Sequence, residues 1–256
     1  MGGIIMSSCI FCGEDTSSSK SVEHIIPESL GNNKIILGRG VVCDKCNNYF
    51  AREIERPFLD IEGIRNARFW NDIKSKKGKI PDTEIIVCGE KGYFRKINGN
   101  NILIMDSKGM EKFLNMKPSI LLSHGFAEIG DVQNKYEIAR FLLKCGYEFM
   151  IYLVAEHNQT NIDGDISFET DNTYQDLTKY VREGTKEKII WPYIVEKITE
   201  YEVFSNKEQI EISVSIKSTG ENVYFILDLY GLRYIVNLLK MEICSYKTLS
   251  DDNGTK

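Results

Sequence analysis

Two Cys-x-x-Cys pairs, Cys9/Cys12 and Cys43/Cys46, stand near the start of the chain. They supply ligands of the number and kind that a closed tetrahedral zinc site takes. A chain with this frame folds around it, because each pair forms a knuckle and the segment between them must close. Between the pairs lies one histidine, His24, preceded by Glu23, and Asn47 directly follows the last cysteine. The metal would therefore bring His24 near Asn47 in space. A simple zinc ribbon has no use for a Glu-His pair and an Asn placed this way. The unit ending near Phe58 has too small a core to be secure alone, so the metal would supply much of its folding free energy.

The 256 residues suffice for one large domain or a small one plus a medium one, and 42% hydrophobic with 27% charged is ordinary for a soluble globular protein. A net charge of -5 gives no global basic signature, which argues against a protein that coats nucleic acid. The charge is uneven: residues 1–80 hold 12 Lys+Arg against 10 Asp+Glu, whereas the rest hold 20 against 27. The zinc-bearing end is the better place for a phosphate backbone. Cys88, Cys145 and Cys244 are isolated in apolar surroundings and read as small buried hydrophobes, so no disulfide framework is expected and a reducing cytoplasm is. The N-terminus lacks the basic start and apolar length of a signal peptide, and no apolar run has the ~20 residues of a membrane helix.

Val22 to Ile26 reads as a short strand ended by Pro27, and Lys34 to Leu37 as the second strand of a hairpin. Asp44 is the expected N-cap of a helix running to Arg56, with Tyr49, Phe50 and Ile54 on one side, and Pro57 breaks it or opens another. The result is strand, strand, helix, pinned by zinc. Residues 59–80 end in KSKKGK, which reads as a solvated linker or, more sharply, as a phosphate-contacting arm. TEIIVCG, GYFRKI and NILIMD are three expected strands with a tight turn at Asn98–Gly99. Asp131 to His157 is the clearest helix, with Ile138, Phe141, Leu142, Cys145, Phe149, Tyr152 and Leu153 on one stripe. A second helix from Asp171 ends at Gly184, and IEISVSIK with VYFILDLY forms a hairpin that LRYIVNLL continues. No internal repeat or low-complexity tract is present. The fold class expected is α+β, with an N-terminal module and linker over 1–80 and an α+β domain of unassigned fold over 81–256.

C-x-x-C, then EHIIPESLG, then C-x-x-C-N resembles the HNH endonuclease family, closest to its four-cysteine zinc-binding branch with the ββα-metal fold. The likeness covers about a fifth of the chain. IARFLLKCGYEF further resembles a helix that often follows this nuclease core in bacterial HNH proteins. By the resemblance, Cys9, Cys12, Cys43 and Cys46 hold a structural Zn²⁺ away from the substrate. Glu23 and Asn47 are the ligands of a catalytic Mg²⁺ or Mn²⁺, and His24 is the general base that activates water. The residue chemistry agrees, since His24 is the only imidazole in the module and its ordinary pKa suits a base near neutral pH. Glu23 and Asn47 offer hard oxygens. The products would be 5′-phosphate and 3′-hydroxyl ends. Arg39, Lys45, Arg52 and Arg56 are candidates to hold flanking phosphates. Two positions depart from the common family pattern, which has Asp where Glu23 stands and His where Asn47 stands. The family's middle Asn has Asn33 as its nearest counterpart.

Each element also has a bland reading: structural zinc alone, a packed histidine, a capping Asn, solvated basic side chains. His124 and His157 are read as ordinary surface or packing residues. The expected activity is cleavage of DNA, with RNA not separated by the sequence, and a bacterial nuclease of this kind could serve in defence against phage or plasmids. Residues 81–256 would supply restraint or targeting through oligomerisation, a partner protein or ligand sensing. The alternatives are a zinc-stabilised nucleic-acid or protein-binding module without catalysis, and a nuclease subunit activated by a partner sensor.

Overall fold

The computed structural model describes residues 8–32, 34–87, 89–115, 129–159, 174–198 and 212–243. Within them the chain is α+β, and strand, strand, helix come first. β1 (Glu23–His24) pairs antiparallel with β2 (Ile36–Leu37), His24 opposite Ile36. The pairing is short because Pro27 has no N–H to continue a ladder. α1 (Asp44–Phe50) follows the second knuckle. Its N-cap is Cys43 rather than Asp44, the Cys43 Sγ accepting from the Cys46 N–H at 3.4 Å. Asp44 is drawn off by a more distant partner. Its carboxylate accepts from the Lys20 and Ser21 N–H groups and from the Ser21 hydroxyl at 2.5 Å, tying the Ser-rich loop to the helix.

The helix does not stop at Arg56. It passes through a π-helical turn (Ala51–Glu55), in which the Arg56 N–H reaches back to the Ala51 carbonyl, into α2 (Arg56–Leu59). Pro57 gives no N–H back to the preceding turn. The Glu53 carbonyl, four residues earlier, accepts instead from Arg140 Nη1 at 3.3 Å. α3 (Glu62–Trp70) then occupies part of what the charge run suggested was linker.

β3 (Thr83–Val87), β4 (Glu90–Ile97) and β5 (Asn100–Met105) form the expected antiparallel meander, with left-handed Asn98 and Gly99 making its tight turn. α4 (Ser107–Asn115) and the short α5 (Ile129–Val132) follow. The long helix α6 (Tyr136–Gln159) begins later than Asp131, because Asn134 adopts a left-handed φ of 54° that no helix continues through. α7 (Gln175–Glu183) ends at Gly184, and the expected start of that helix, Asp171, lies outside the described residues. The second sheet comprises β6 (Tyr193–Lys197), β7 (Ser213–Thr219), β8 (Asn222–Leu229) and β9 (Leu232–Asn237). Its order is β6-β9-β8-β7, antiparallel throughout. No helix among the described residues is long and apolar enough to cross a membrane.

α6 lies between the N-terminal module and the second sheet. Toward the module, Phe141 stacks on Phe58 with centroids 3.8 Å apart and Tyr147 meets Phe11 edge-on. Toward the sheet, Phe149 tilts against Phe225. One apolar cluster therefore runs from Cys9 to Leu238. Cys145 is buried as expected, its thiol donating to the Ile25 carbonyl at 3.0 Å. Cys88, Cys244, His124 and the side chain of His157 lie outside the described residues.

The approach of α6 to the sheet depends on Gly146. A Cβ there would stand 2.7 Å from Leu238 Cδ2 and 2.8 Å from Phe225 Cβ, the latter fixed to the β8 backbone. Gly146→Ala would gain about 1 kcal/mol of helix propensity. Overpacking costs about 1–3 kcal/mol. The variant is therefore expected to have a lower denaturation midpoint than wild type, contrary to the propensity rule, and a raised midpoint would show that the helix and sheet can separate freely.

Candidate active site

The two knuckles meet through backbone pairing, the Ile10 N–H donating to the Val41 carbonyl at 3.0 Å. The first knuckle turns on Gly13, which takes a left-handed φ of 70° while its N–H returns to the Cys9 carbonyl. The four sulfurs of Cys9, Cys12, Cys43 and Cys46 all lie within 4.8 Å of one another, Cys12 and Cys43 at 3.6 Å. With zinc–sulfur bonds of ~2.3 Å, a tetrahedron has edges of about 3.8 Å, so the spacing fits a zinc ion and is far too long for a disulfide. Crowding splits the thiols. The Cys46 thiol, donating to Cys9, pulls Cys9 down to about 4, and burial pushes Cys12 up to about 11. A cation at the centre would let all four ionise.

His24 follows Glu23 on β1 and is half-buried. Its Nε2 lies 3.5 Å from Glu28 Oε1, while its Nδ1 is buried without a hydrogen-bond partner among the described residues. Burial lowers the imidazole pKa from its ordinary value and Glu28 opposes this only in part, so the ring is neutral near pH 7. Glu28 opens a 3₁₀ turn (Glu28–Leu30), closed by Gly31 at a φ of 99°.

Asn47 sits one residue beyond the last cysteine, inside α1. Its side-chain amide donates to the Val22 carbonyl at 3.4 Å, which sets it against the strand just before Glu23. Glu23 itself is only 4% exposed. Its Oε1 accepts from Lys144 Nζ at 2.5 Å, and the same ammonium reaches Glu55 at 3.0 Å and Glu148 at 3.1 Å. Burial raises the Glu23 carboxyl pKa and Lys144 opposes it. For Lys144, burial works against the charge, but the carboxylates of Glu148, Glu23 and Glu55 outweigh it and hold the ammonium well above its usual range.

Of the basic candidates, Arg39 is exposed in the turn before the second knuckle. Lys45 pairs with Glu14, Arg52 with Glu53, and Arg56 with Asp60. These are exposed pairs, screened by solvent and easily exchanged for a phosphate.

Two participants, Asn32 and Lys144, went unread in the sequence. Asn33 lies outside the described residues, whereas Asn32 ties the loop. Its Nδ2 donates to the Ile26 carbonyl at 2.8 Å, and its Oδ1 accepts from the Lys34 and Ile35 N–H groups. Lys144 could have been flagged from Arg140, Lys144 and Glu148, which recur every four residues within an otherwise apolar helix. Arg140 also faces the module, donating to Tyr49 Oη at 3.0 Å. Lys76, within the KSKKGK run read as a linker or a phosphate-contacting arm, lies 4.0 Å from Glu28 Oε2.

A hairpin and a helix held at their base by two cysteine knuckles, with a histidine on the first strand, define a ββα-metal module of the nuclease type. Residues 9–60 match the family model of the HNH endonucleases, so the chain carries an N-terminal HNH module with a four-cysteine cluster. No curated protein and no solved structure gives a significant match to the chain.

Proposed function

We propose that the chain is a metal-dependent HNH endonuclease acting on DNA. The observation that carries this is His24: a half-buried neutral imidazole on the strand of the matched module, with Asn47 brought against that strand by α1. His24 takes a proton from water as the water oxygen bonds to phosphorus. The bond to the 3′ oxygen breaks and that oxygen takes a proton from solvent, leaving a 5′-phosphate and a 3′-hydroxyl. Glu23 and Asn47 would hold a Mg²⁺ or Mn²⁺ through a carboxylate and an amide oxygen, donors of the hard kind such an ion takes, once Glu23 is released from Lys144. When bound, the ion would neutralise phosphate charge and stabilise the leaving oxygen. Lys144 orients Glu23, Asn32 fixes the loop after β1, and the zinc holds the two knuckles away from the substrate. Arg39, Lys45, Arg52 and Arg56 contact flanking phosphates, which gives affinity with little sequence preference.

Residues 81–256 would then restrain or target the cut, by self-association or through a partner, in a role such as defence against phage or plasmids. The engagement of Glu23 by Lys144 of α6 favours a second reading, in which the isolated chain stays silent until a partner moves that helix.

The test is nicking of supercoiled plasmid with Mg²⁺ or Mn²⁺ by wild type and His24→Ala at equal zinc content. A general base is worth about 10²–10⁴ in rate, so the variant should lose that much. Equal cutting by both would remove His24 from the reaction.

A further inference from the structure

The lysine run of residues 74–79 is an ordered element docked beside His24. Its turn is closed by the Gly78 N–H to the Ser75 carbonyl and the Ser75 N–H to the Lys79 carbonyl, both 2.8 Å, with Ser75 Oγ accepting from the Lys79 N–H. Gly78 supplies the left-handed φ of 73° that the turn needs. The turn is braced at its start. The Ile73 N–H donates to the Arg68 carbonyl at the end of α3, and Ile73 lies against Gly31, at the end of the 3₁₀ turn that carries Glu28. Lys74, Lys76, Lys77 and Lys79 are all exposed. A merely solvated linker needs no such closure or docking.

Glu28 joins this element to the site. One of its oxygens lies 3.5 Å from His24 Nε2 and the other 4.0 Å from Lys76 Nζ. A two-oxygen anion held between an imidazole and an ammonium occupies the kind of position a substrate phosphate would take. We propose that the 74–79 turn is a binding element for the DNA phosphate backbone, with Lys76 beside the reacting phosphate and Glu28 standing in for that phosphate until substrate displaces it. The inference rests on the nuclease reading and extends the substrate-binding surface beyond the family-matched residues.

The experiment measures binding of a fluorescent DNA duplex by anisotropy between 50 and 200 mM KCl, without divalent metal, in a His24→Ala background. Each phosphate contact contributes about 0.9 to the slope of log K against log[salt]. Lys76→Ala should lower the slope by about one, and replacing Lys74, Lys76, Lys77 and Lys79 together should lower it by about three to four. Lys217→Ala, on the exposed face of β7, should leave it unchanged. Glu28→Gln should tighten binding about fivefold, as expected for a half-exposed charge worth ~1 kcal/mol, and only while Lys76 is present. If wild type cuts plasmid and the fourfold variant keeps the full slope, the turn is not a binding element and the nuclease reading stands without it. If the protein neither binds the duplex nor cuts, the nuclease reading falls and this inference with it.

Discussion

Replacing Cys9 by serine, or stripping the metal with a chelator, should unfold the N-terminal module outright. Structural zinc in small cysteine sites contributes about 10–16 kcal/mol at neutral pH, against a total stability of about 5–15 kcal/mol for a typical domain. No packing within the module can offset that. The four sulfurs stand close enough that they would repel as thiolates without a cation. The loss should not stop at residue 60, because Phe11 and Phe58 pack on α6 through Tyr147 and Phe141. The check is zinc content by elemental analysis together with a thermal melt. Wild type should carry one zinc per chain and Cys9→Ser none, with the main transition lowered or broadened. A variant that kept its zinc and its melting temperature would show that the cluster is not a zinc site.

Lys144→Met should be the most damaging single substitution outside the cysteines. Lys144 is wholly buried and is the cation shared by Glu23, Glu55 and Glu148. Removing one partner of a buried ion pair costs about 3–5 kcal/mol, because the other charge stays behind without compensation. Glu148→Gln should be mild by comparison. Burial already pushes that carboxyl well above its usual range, and its one close polar contact is Lys144 at 3.1 Å, which Glu23 and Glu55 share, so it gives up charge most readily. Urea denaturation separates the two: a large drop in midpoint for Lys144→Met with unchanged slope, and a small one for Glu148→Gln. If Lys144→Met fell within about 1 kcal/mol of wild type, the carboxylates would be neutralising themselves by protonation and the lysine would not be needed.

The zinc frame and the hairpin were legible because their signals are local. The Cys-x-x-Cys spacing forces a knuckle whatever surrounds it, and Pro27 and the Asn98–Gly99 turn act on their own backbone. What was hidden depends on partners far along the chain. Asp44 has the composition of a cap, but its carboxylate found the Ser21 loop while a cysteine capped the helix. Lys144 drew no reading, since its partner Glu23 lies far along the chain and nothing near it in sequence announces it. α3 was overshadowed by the lysines that follow it, and β6 is a five-residue strand with no hairpin turn to mark it. The candidate site was legible in its kinds of residue, and the lysine run of 74–79 in its charge, whereas Lys144, which reaches Glu23 from α6, was not.

The π-helical turn at Ala51–Glu55 sets the rotational phase of the helix that leaves the zinc. A helix advances about 100° per residue, so one extra residue in a turn rotates everything downstream by that angle. Upstream of the turn, the phase aims Cys46 at the other cysteines and Asn47 at β1. At its last residue it aims Glu55 at Lys144, and downstream it aims Phe58 at Phe141. A regular helix in the same place could satisfy the metal or the neighbouring helix, but not both. The turn is a clutch between two fixed orientations, and it lets the four-cysteine module be mated to a scaffold whose geometry it did not dictate.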